Sequence, residues 1–271
     1  MRSAQRHEHI VGLLAANGDV SVDQLAEQLG VTASTIRRDL TRLTGEGKVT
    51  RTYGGAVVAA AGAPESPLHQ RAREARAQKD AIGSWAAAQV ADGETVMLDA
   101  GTTVGRAAHH LRGRAGITVI TNGLTSLVEL ADADDIEVIV LGGSLRHISH
   151  GLVGPVTEMN LARFSADRVF LGADGLTADG GICEASTVQT HTKEVMAAHA
   201  SQIYVLADST KIGCAPFRAW APLERPWTLV TDSLATEEQL APFRDRPGIS
   251  VVVVGAGPRS LPEPVPGRAS A

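Results

Sequence analysis

Ser21 to Leu43, SVDQLAEQLGVTASTIRRDLTRL, most restricts what this chain can fold into, because its spacing predicts two short helices joined by one tight turn. Ser21 is a natural N-cap, and Gln24 three positions later completes a capping box by reaching back to the Ser21 amide. Leu25, Ala26 and Leu29 form one apolar face, and Gly30 supplies the left-handed residue that ends the helix. Thr32 caps a second helix in which Ile36, Leu40 and Leu43 recur at i, i+4 and i+7, the spacing of one buried stripe. At about 100° per residue, Ser34, Arg38, Thr41 and Arg42 point away from that stripe, with Thr35 and Arg37 on its flanks.

A helix face of arginines with hydroxyl residues at its N-terminal end suits the major groove of DNA, where Arg pairs with guanine edges and hydroxyls and amides meet phosphates. Arg38 is the first choice for a base contact. Two arginines on a helix equally fit a plain solvated surface, so the residues that follow decide the matter. Val49 to Val58, VTRTYGGAVV, is two β-prone runs around a Gly-Gly turn. Helix, helix and hairpin make a winged helix-turn-helix over residues 1–58, with Lys48 on phosphate and Arg51 and Tyr53 on the wing. Residues 2–17 read as a first helix, packed behind this pair through Ile10, Leu13 and Leu14 and closed by Asn17-Gly18. The net charge of −5 argues against nucleic acid only until it is counted by segment. Thr32 to Gly55 holds five basic residues against two acidic ones, a local +3, so tight binding implies two or more copies of the chain.

Small residues and two prolines then mark a linker over 59–78. From Ile82 the rhythm becomes helix, strand, helix, strand. Strands are expected at 94–100, 117–121, 136–143, 168–174, 202–208 and 227–232, with a further edge strand at 249–255. Their runs of Val, Ile and Leu without alternation predict a mainly parallel sheet covered by helices on both faces. The expected fold class is thus α/β, an N-terminal winged helix-turn-helix followed by an α/β domain over 79–256, with a Pro-rich, disordered tail at 257–271.

Ligands in such sheets collect at the C-terminal ends of the strands. Each expected strand there ends in polar or glycine residues: Asp99, Gly101, Thr102 and Thr103; Thr121 and Asn122; Gly142, Gly143 and Arg146; Asp174 and Gly175; Asp208, Ser209 and Lys211; Thr231 and Asp232. Gly101 lets the backbone approach a ligand, and Thr102 and Thr103 offer hydroxyls beside free helix amides, an anion site worth about 0.3–2 kcal/mol. Lys211 and Arg146 are the available cations. Together these motifs imply a small phosphorylated or polyhydroxylated ligand.

GVTASTIRRDLTRLTGEGKVTRTYGGA resembles the N-terminal signature of the DeoR/GlpR family of bacterial transcriptional regulators, with its TIRRDL helix and R-x-x-GG wing. GTT, TN, LGG, GADG and DSTK stand where that family's sensor domain has them, and Leu68, Arg71 and Lys79 match the pattern that opens it, with Leu for the usual Phe. The resemblance implies a sensor similar in fold to ribose-5-phosphate isomerase, with Thr102, Thr103, Asp208, Ser209 and Lys211 framing phosphate and Asp99, Asn122 and Asp174 meeting hydroxyls. It also implies a repressor of sugar metabolism, acting as a homo-oligomer on a double-stranded DNA operator. The isomerase's catalytic Glu falls at Thr192, which is not a base, and Glu184 lies in the GGICEA loop, so no catalytic residue is assigned. Gln189 stands where many members carry an acid.

The rival readings are a sugar-phosphate isomerase with a DNA-binding head, and a DNA-binding module whose α/β domain only oligomerises. Cys183 and Cys214 form no disulfide framework, and the absence of a secretory or membrane-length apolar run suggests a cytoplasmic protein. His147 and His150 lack the Cys or carboxylate company of a metal site, and neither metal nor cofactor is expected.

Overall fold

The computed structural model describes residues 3–17, 20–45, 49–51, 55–58 and 65–255. Its N-terminal head contains α1 (Ser3–Asn17), β1 (Val20–Ser21), α2 (Val22–Leu29), α3 (Ala33–Gly45), β2 (Val49–Arg51) and β3 (Gly55–Val58). The Ser21 hydroxyl accepts from the Gln24 amide at 3.2 Å while Gln24 Oε1 accepts from the Ser21 amide at 2.9 Å, and Gly30 at φ 64° ends α2. Ile36, Leu40 and Leu43 are fully buried, packed with Ile10, Leu14 and Leu25 in one small core. Val22 and Val20 join that core, and β1 adds a strand to the hairpin in the order β1-β3-β2, neither of which the spacing announced. The Asn17-Gly18 stop and the wing turn at 52–54 lie outside the described residues.

The expected linker needs correction in its second half. Residues 59–64 lie outside the described residues, but Glu65 is already buried and α4 (Leu68–Arg71) hydrogen-bonds to the α/β body through the Leu68 amide and the Ile148 carbonyl at 3.1 Å. α5 (Arg76–Ala88) then starts the layered domain.

That domain runs β4 (Thr95–Leu98), α6 (Thr102–Leu111), β5 (Ile117–Thr121), α7 (Leu124–Leu130), β6 (Ile136–Val140), a hairpin of β7 (Ser144–Arg146) and β8 (Gly151–Val153), α8 (Pro155–Leu161) and β9 (Ala166–Leu171). It continues with β10 (Gly175–Thr177), β11 (Gly181–Glu184), α9 (Thr187–Ala198), β12 (Ala200–Leu206), a 3-10 turn at Ser209–Lys211, β13 (Ala219–Ala221), β14 (Trp227–Asp232), α10 (Glu237–Arg244) and β15 (Ile249–Val254). Seven strands form one parallel sheet in the order β15-β14-β12-β9-β4-β5-β6, which makes 249–254 the edge strand expected of it. Successive residues go to opposite faces, both apolar. Val96, Leu98, Val119 and Phe170 pack with α5 and α6, whereas Met97, Ile120, Val169 and Leu171 pack with α8 and α9. Fully burying side chains of this size stabilises by about 1.5–3 kcal/mol each.

Two smaller pieces were not legible as strands. β7 and β8 pair antiparallel above the ends of β4 and β5, and β10, β11 and β13 form a three-stranded antiparallel sheet beyond β9.

Candidate functional site

The reading helix is held from behind. Asp39, at the middle of α3, accepts from Arg6 Nε at 2.5 Å and Nη2 at 3.1 Å, with His7 Nε2 at 3.0 Å, so α3 is tied to α1 by charge as well as by its apolar stripe. Burial pushes the Asp39 carboxyl up, but the Arg6 and His7 bonds outweigh it and hold it below the usual carboxylate range. One of the two acids counted against the local basic charge is thereby neutralised inside the head. On the opposite side Ser34, Arg37, Arg38, Thr41 and Arg42 are exposed and Thr35 is half-buried. The Thr32 hydroxyl accepts from the Thr35 amide at 3.3 Å and lies 2.9 Å from the Ser34 and Thr35 hydroxyls, which gathers three hydroxyls at the start of α3. Thr41 donates to the Arg37 carbonyl at 2.7 Å. Arg51 is placed on β2 by its backbone; Lys48 and Tyr53 lie outside the described residues.

In the sheet, the chain steps outward from β4 through β5 to β6 and then returns to β9 on the other side of β4. This reversal opens a crevice between the ends of β4 and β9, the place where open α/β sheets bind ligands. Lys193 of α9 occupies it. Its buried ammonium donates to Asp99 just past β4, to the Gly172 carbonyl just past β9 at 3.0 Å, and to Glu184 Oε1 at 3.1 Å. One ammonium faces two carboxylates, and Glu184 also accepts from Gln189 Nε2 at 3.2 Å. Burial pushes Glu184 up to about 8 against the pull of Lys193, with Asp174 and Asp99 adding to the rise. Burial works against the Lys193 charge, but the two carboxylates prevail and raise it above the ordinary lysine value. The cleft beside this group is tight, with room for about 10 Å³, and is lined by Asp99, Asn122, Ser149, Gln189, Thr192 and Lys193 among others. A wider hollow of about 580 Å³ at the opposite ends of β9 and β12 lacks this chemistry, its Arg225 being engaged by the carbonyls of Ala197, Ala200 and Ser201.

A family model for the DeoR C terminal sensor domain matches residues 74–233, and one for the DeoR-like helix-turn-helix domain matches residues 6–61. The chain belongs to the DeoR family. The HTH-type transcriptional regulator GlpR of Haloferax volcanii is 33% identical over 232 residues, 86% of this chain and 91% of the relative. The glycerol-3-phosphate regulon repressor of Escherichia coli is 30% identical over 213 residues, 79% of this chain and 84% of that one. Among solved structures, a ribose 5-phosphate isomerase A from Methanocaldococcus jannaschii aligns at a TM-score of 0.39 and 16% identity, over 51% of this chain and 55% of that one. This DeoR-family chain is a transcriptional regulator with a DNA-binding head and a C-terminal sensor. Among the described residues, no helix is long and apolar enough to cross a membrane.

Within the DeoR sensor, the rim residues expected from the sequence divide into two groups. Asp99 and Asn122 line the cleft, and Thr102 and Thr103 open α6 beside it, where Gly101 as N-cap leaves the first amides without a side-chain acceptor. Asp208 caps the 3-10 turn by accepting from the Thr210 amide at 3.2 Å, and Ser209 and Lys211 sit in that turn. Lys79 of α5 donates to the Arg71 carbonyl at 2.6 Å and lies 3.9 Å from Asp208, and burial lowers its affinity for a proton.

The other residues carry structural hydrogen bonds, ion pairs or close backbone contacts. The Thr121 hydroxyl donates to the Leu98 carbonyl at 2.7 Å and accepts from the Gly123 amide at 3.0 Å, locking β4 to β5. Arg146 is paired bidentately with Glu65, and Asp174 with Arg71 at 2.8 Å. Gly142 accepts from the Thr157 hydroxyl at 2.7 Å, and a Cβ at Gly143 would fall 2.1 Å from that oxygen, so this pair seats α8. A Cβ at Gly175 would fall 2.4 Å from the Cys214 carbonyl. Sequence reasoning missed Ser149, Gly151 and Val153, because a short hairpin with exposed Leu145 and His150 shows no strand alternation.

Proposed function

We propose that this chain is a sequence-specific repressor whose sensor cleft takes a phosphorylated sugar or a related polyol phosphate, and that it acts as a homo-oligomer on operator DNA. The observation that carries the reading is the Lys193–Asp99–Glu184 cluster at the strand reversal, next to the uncapped N-terminus of α6. The cluster offers fixed charge and hydroxyl partners, while the helix amides suit an anion. Lys79 and Lys211 supply positive charge near Asp208 for the same purpose. That the Escherichia coli relative is a glycerol-3-phosphate regulon repressor is in keeping with a phosphorylated ligand. Two half-sites one or more helical turns apart match two copies of α3, which the modest basic charge of a single head also favours.

Catalysis is the weaker reading. Thr192 donates its hydroxyl to the Val188 carbonyl at 2.9 Å and offers no base, while Glu184 is engaged by Lys193 and Gln189. The test is a thermal-shift panel of triose, pentose and hexose phosphates, followed by DNA binding with each hit and a coupled isomerase assay. A hit that changes DNA affinity supports the sensor. Turnover abolished by Glu184→Gln would replace it with the enzyme, and a flat panel would leave the α/β domain as an oligomerisation unit.

A further inference from the structure

The chain leaving the DNA-reading head is tied to the element that roofs the cleft. β3 ends at Val58, and after 59–64 the chain enters the α/β body at Glu65, whose side chain is 4% exposed. That carboxylate takes two guanidiniums: Arg146 through Nη1 at 2.9 Å and through Nη2, and Arg71 at 3.1 Å. Arg146 closes β7, and the hairpin that follows carries Ser149, Gly151 and Val153 into the cleft wall. The Leu68 amide and Arg71 Nη2 both reach the Ile148 carbonyl, at 3.1 and 3.4 Å, so this strap and the hairpin share backbone contacts as well as charge.

On its other side the hairpin closes against the rim. The Leu152 amide donates to the Asn122 carbonyl at 2.7 Å and the Leu124 amide to the His150 carbonyl at 3.0 Å, while a Cβ at Gly151 would lie 2.9 Å from the Ala100 side chain. The cleft beneath it has room for only about 10 Å³, far short of the roughly 300–1,000 Å³ of ordinary ligand sites, so a ligand must lift the roof. Three buried polar atoms in this network have no hydrogen-bond partner: Arg71 Nε, Asp174 Oδ2 and Asn122 Oδ1. Unpaired buried polar atoms are costly, so these groups gain from any partner that a lifted hairpin admits.

We propose that the β7–β8 hairpin carries occupancy of the sensor cleft to the DNA-reading head. A ligand that lifts the hairpin draws Arg146 from Glu65 and releases the strap, and with it the chain entering the head. The inference rests on the cleft being the ligand site, and it requires the ligand to favour the lifted state over the closed one.

The test uses the full chain with Glu65→Gln, which keeps the shape and removes the charge, and Arg146→Lys, which keeps the charge. The probes are glycerol 3-phosphate, ribose 5-phosphate and fructose 6-phosphate, and the DNA is a duplex selected by the wild type from random sequence. A bound probe should change wild-type DNA affinity on the order of 5–150-fold, the usual span of coupling between sites. In Glu65→Gln the probe still raises the melting temperature and DNA still binds, but the response of one to the other disappears, whereas Arg146→Lys keeps part of it. A full response in Glu65→Gln overturns the proposal. Should no probe bind the wild type, the ligand reading fails separately. Hydrogen exchange of the free protein then decides: Glu65→Gln must speed exchange at the Leu68, His150 and Leu152 amides while β4 and β9 stay protected, and unchanged exchange at those three overturns the coupling.

Discussion

Lys193 and Glu184 are both buried, their charged ends 3.1 Å apart, and Lys193 also holds Asp99. Burial, with Asp174 and Asp99 nearby, outweighs the pull of Lys193 and pushes Glu184 up to about 8 in the folded chain from an ordinary 4.5. A group that binds its proton more tightly when folded contributes fully below the unfolded value and loses that contribution as pH rises. Each unit of the difference is worth about 1.4 kcal/mol. Between pH 4.5 and 8 the wild type should therefore lose a few kcal/mol relative to Glu184→Gln. Melting temperatures of both proteins at pH 5 and 8.5 check this, and parallel curves would refute it.

Arg38 is exposed on α3, and a bidentate Arg–guanine contact discriminates by about 1–3 kcal/mol per base pair. Arg38→Ala should flatten the preference among operator variants. Lys48→Ala should weaken all duplexes alike. Footprints of equal selectivity for Arg38→Ala and wild type would remove Arg38 from base reading.

If each protomer of a dimer neutralises about four phosphates, log affinity against log salt should fall with a slope near −7. A slope shallower than about −3 would show that the α3 face is not the contact surface.

Asp39→Asn leaves Arg6 and His7 without their charged partner and should loosen the tie between α1 and α3. The Asp39 carboxyl is held below its ordinary value of 3.8, so its contribution is present above that pH and is lost as pH falls through the depressed folded value. DNA binding should fail before ligand binding does. Hydrogen exchange should quicken in α1 and α3 but not in β4 or β9; equal protection of α1 in mutant and wild type would contradict the role of this pair.

Lys211→Ala removes an ammonium beside Asp208 and Lys79. At a ligand concentration of 100 Kd, binding adds about 2.7 kcal/mol of stability, which a thermal shift detects readily. The shift given by a sugar phosphate should vanish in Lys211→Ala, and an undiminished shift would place the phosphate elsewhere.

The helix pair of the head was legible because it is local. Ser21 and Gln24, Gly30, Thr32 and the Ile36–Leu40–Leu43 stripe act over three to seven residues, and all take the places their spacing implies. The sheet was legible for a similar reason, since strands buried on both faces must be continuous apolar runs, as Ile117–Thr121 and Trp227–Asp232 are. Residue type at the strand ends also marked the rim correctly as polar.

Which partner each of those polar groups takes was decided only in three dimensions. Arg146 reads as a free cation until Glu65, 81 residues earlier, takes it. Thr121 reads only as a polar group at a strand end, and its hydroxyl finds the Leu98 carbonyl, 23 residues earlier. Lys193 stands in a helix with no motif around it and reaches the centre of the crevice only because β9 returns beside β4. Local spacing determines which backbone conformation is cheap, and that much the sequence carried by itself. The partner of each buried charge depends on contacts across the fold, where the need to satisfy every desolvated group selects among residues that look alike in the chain.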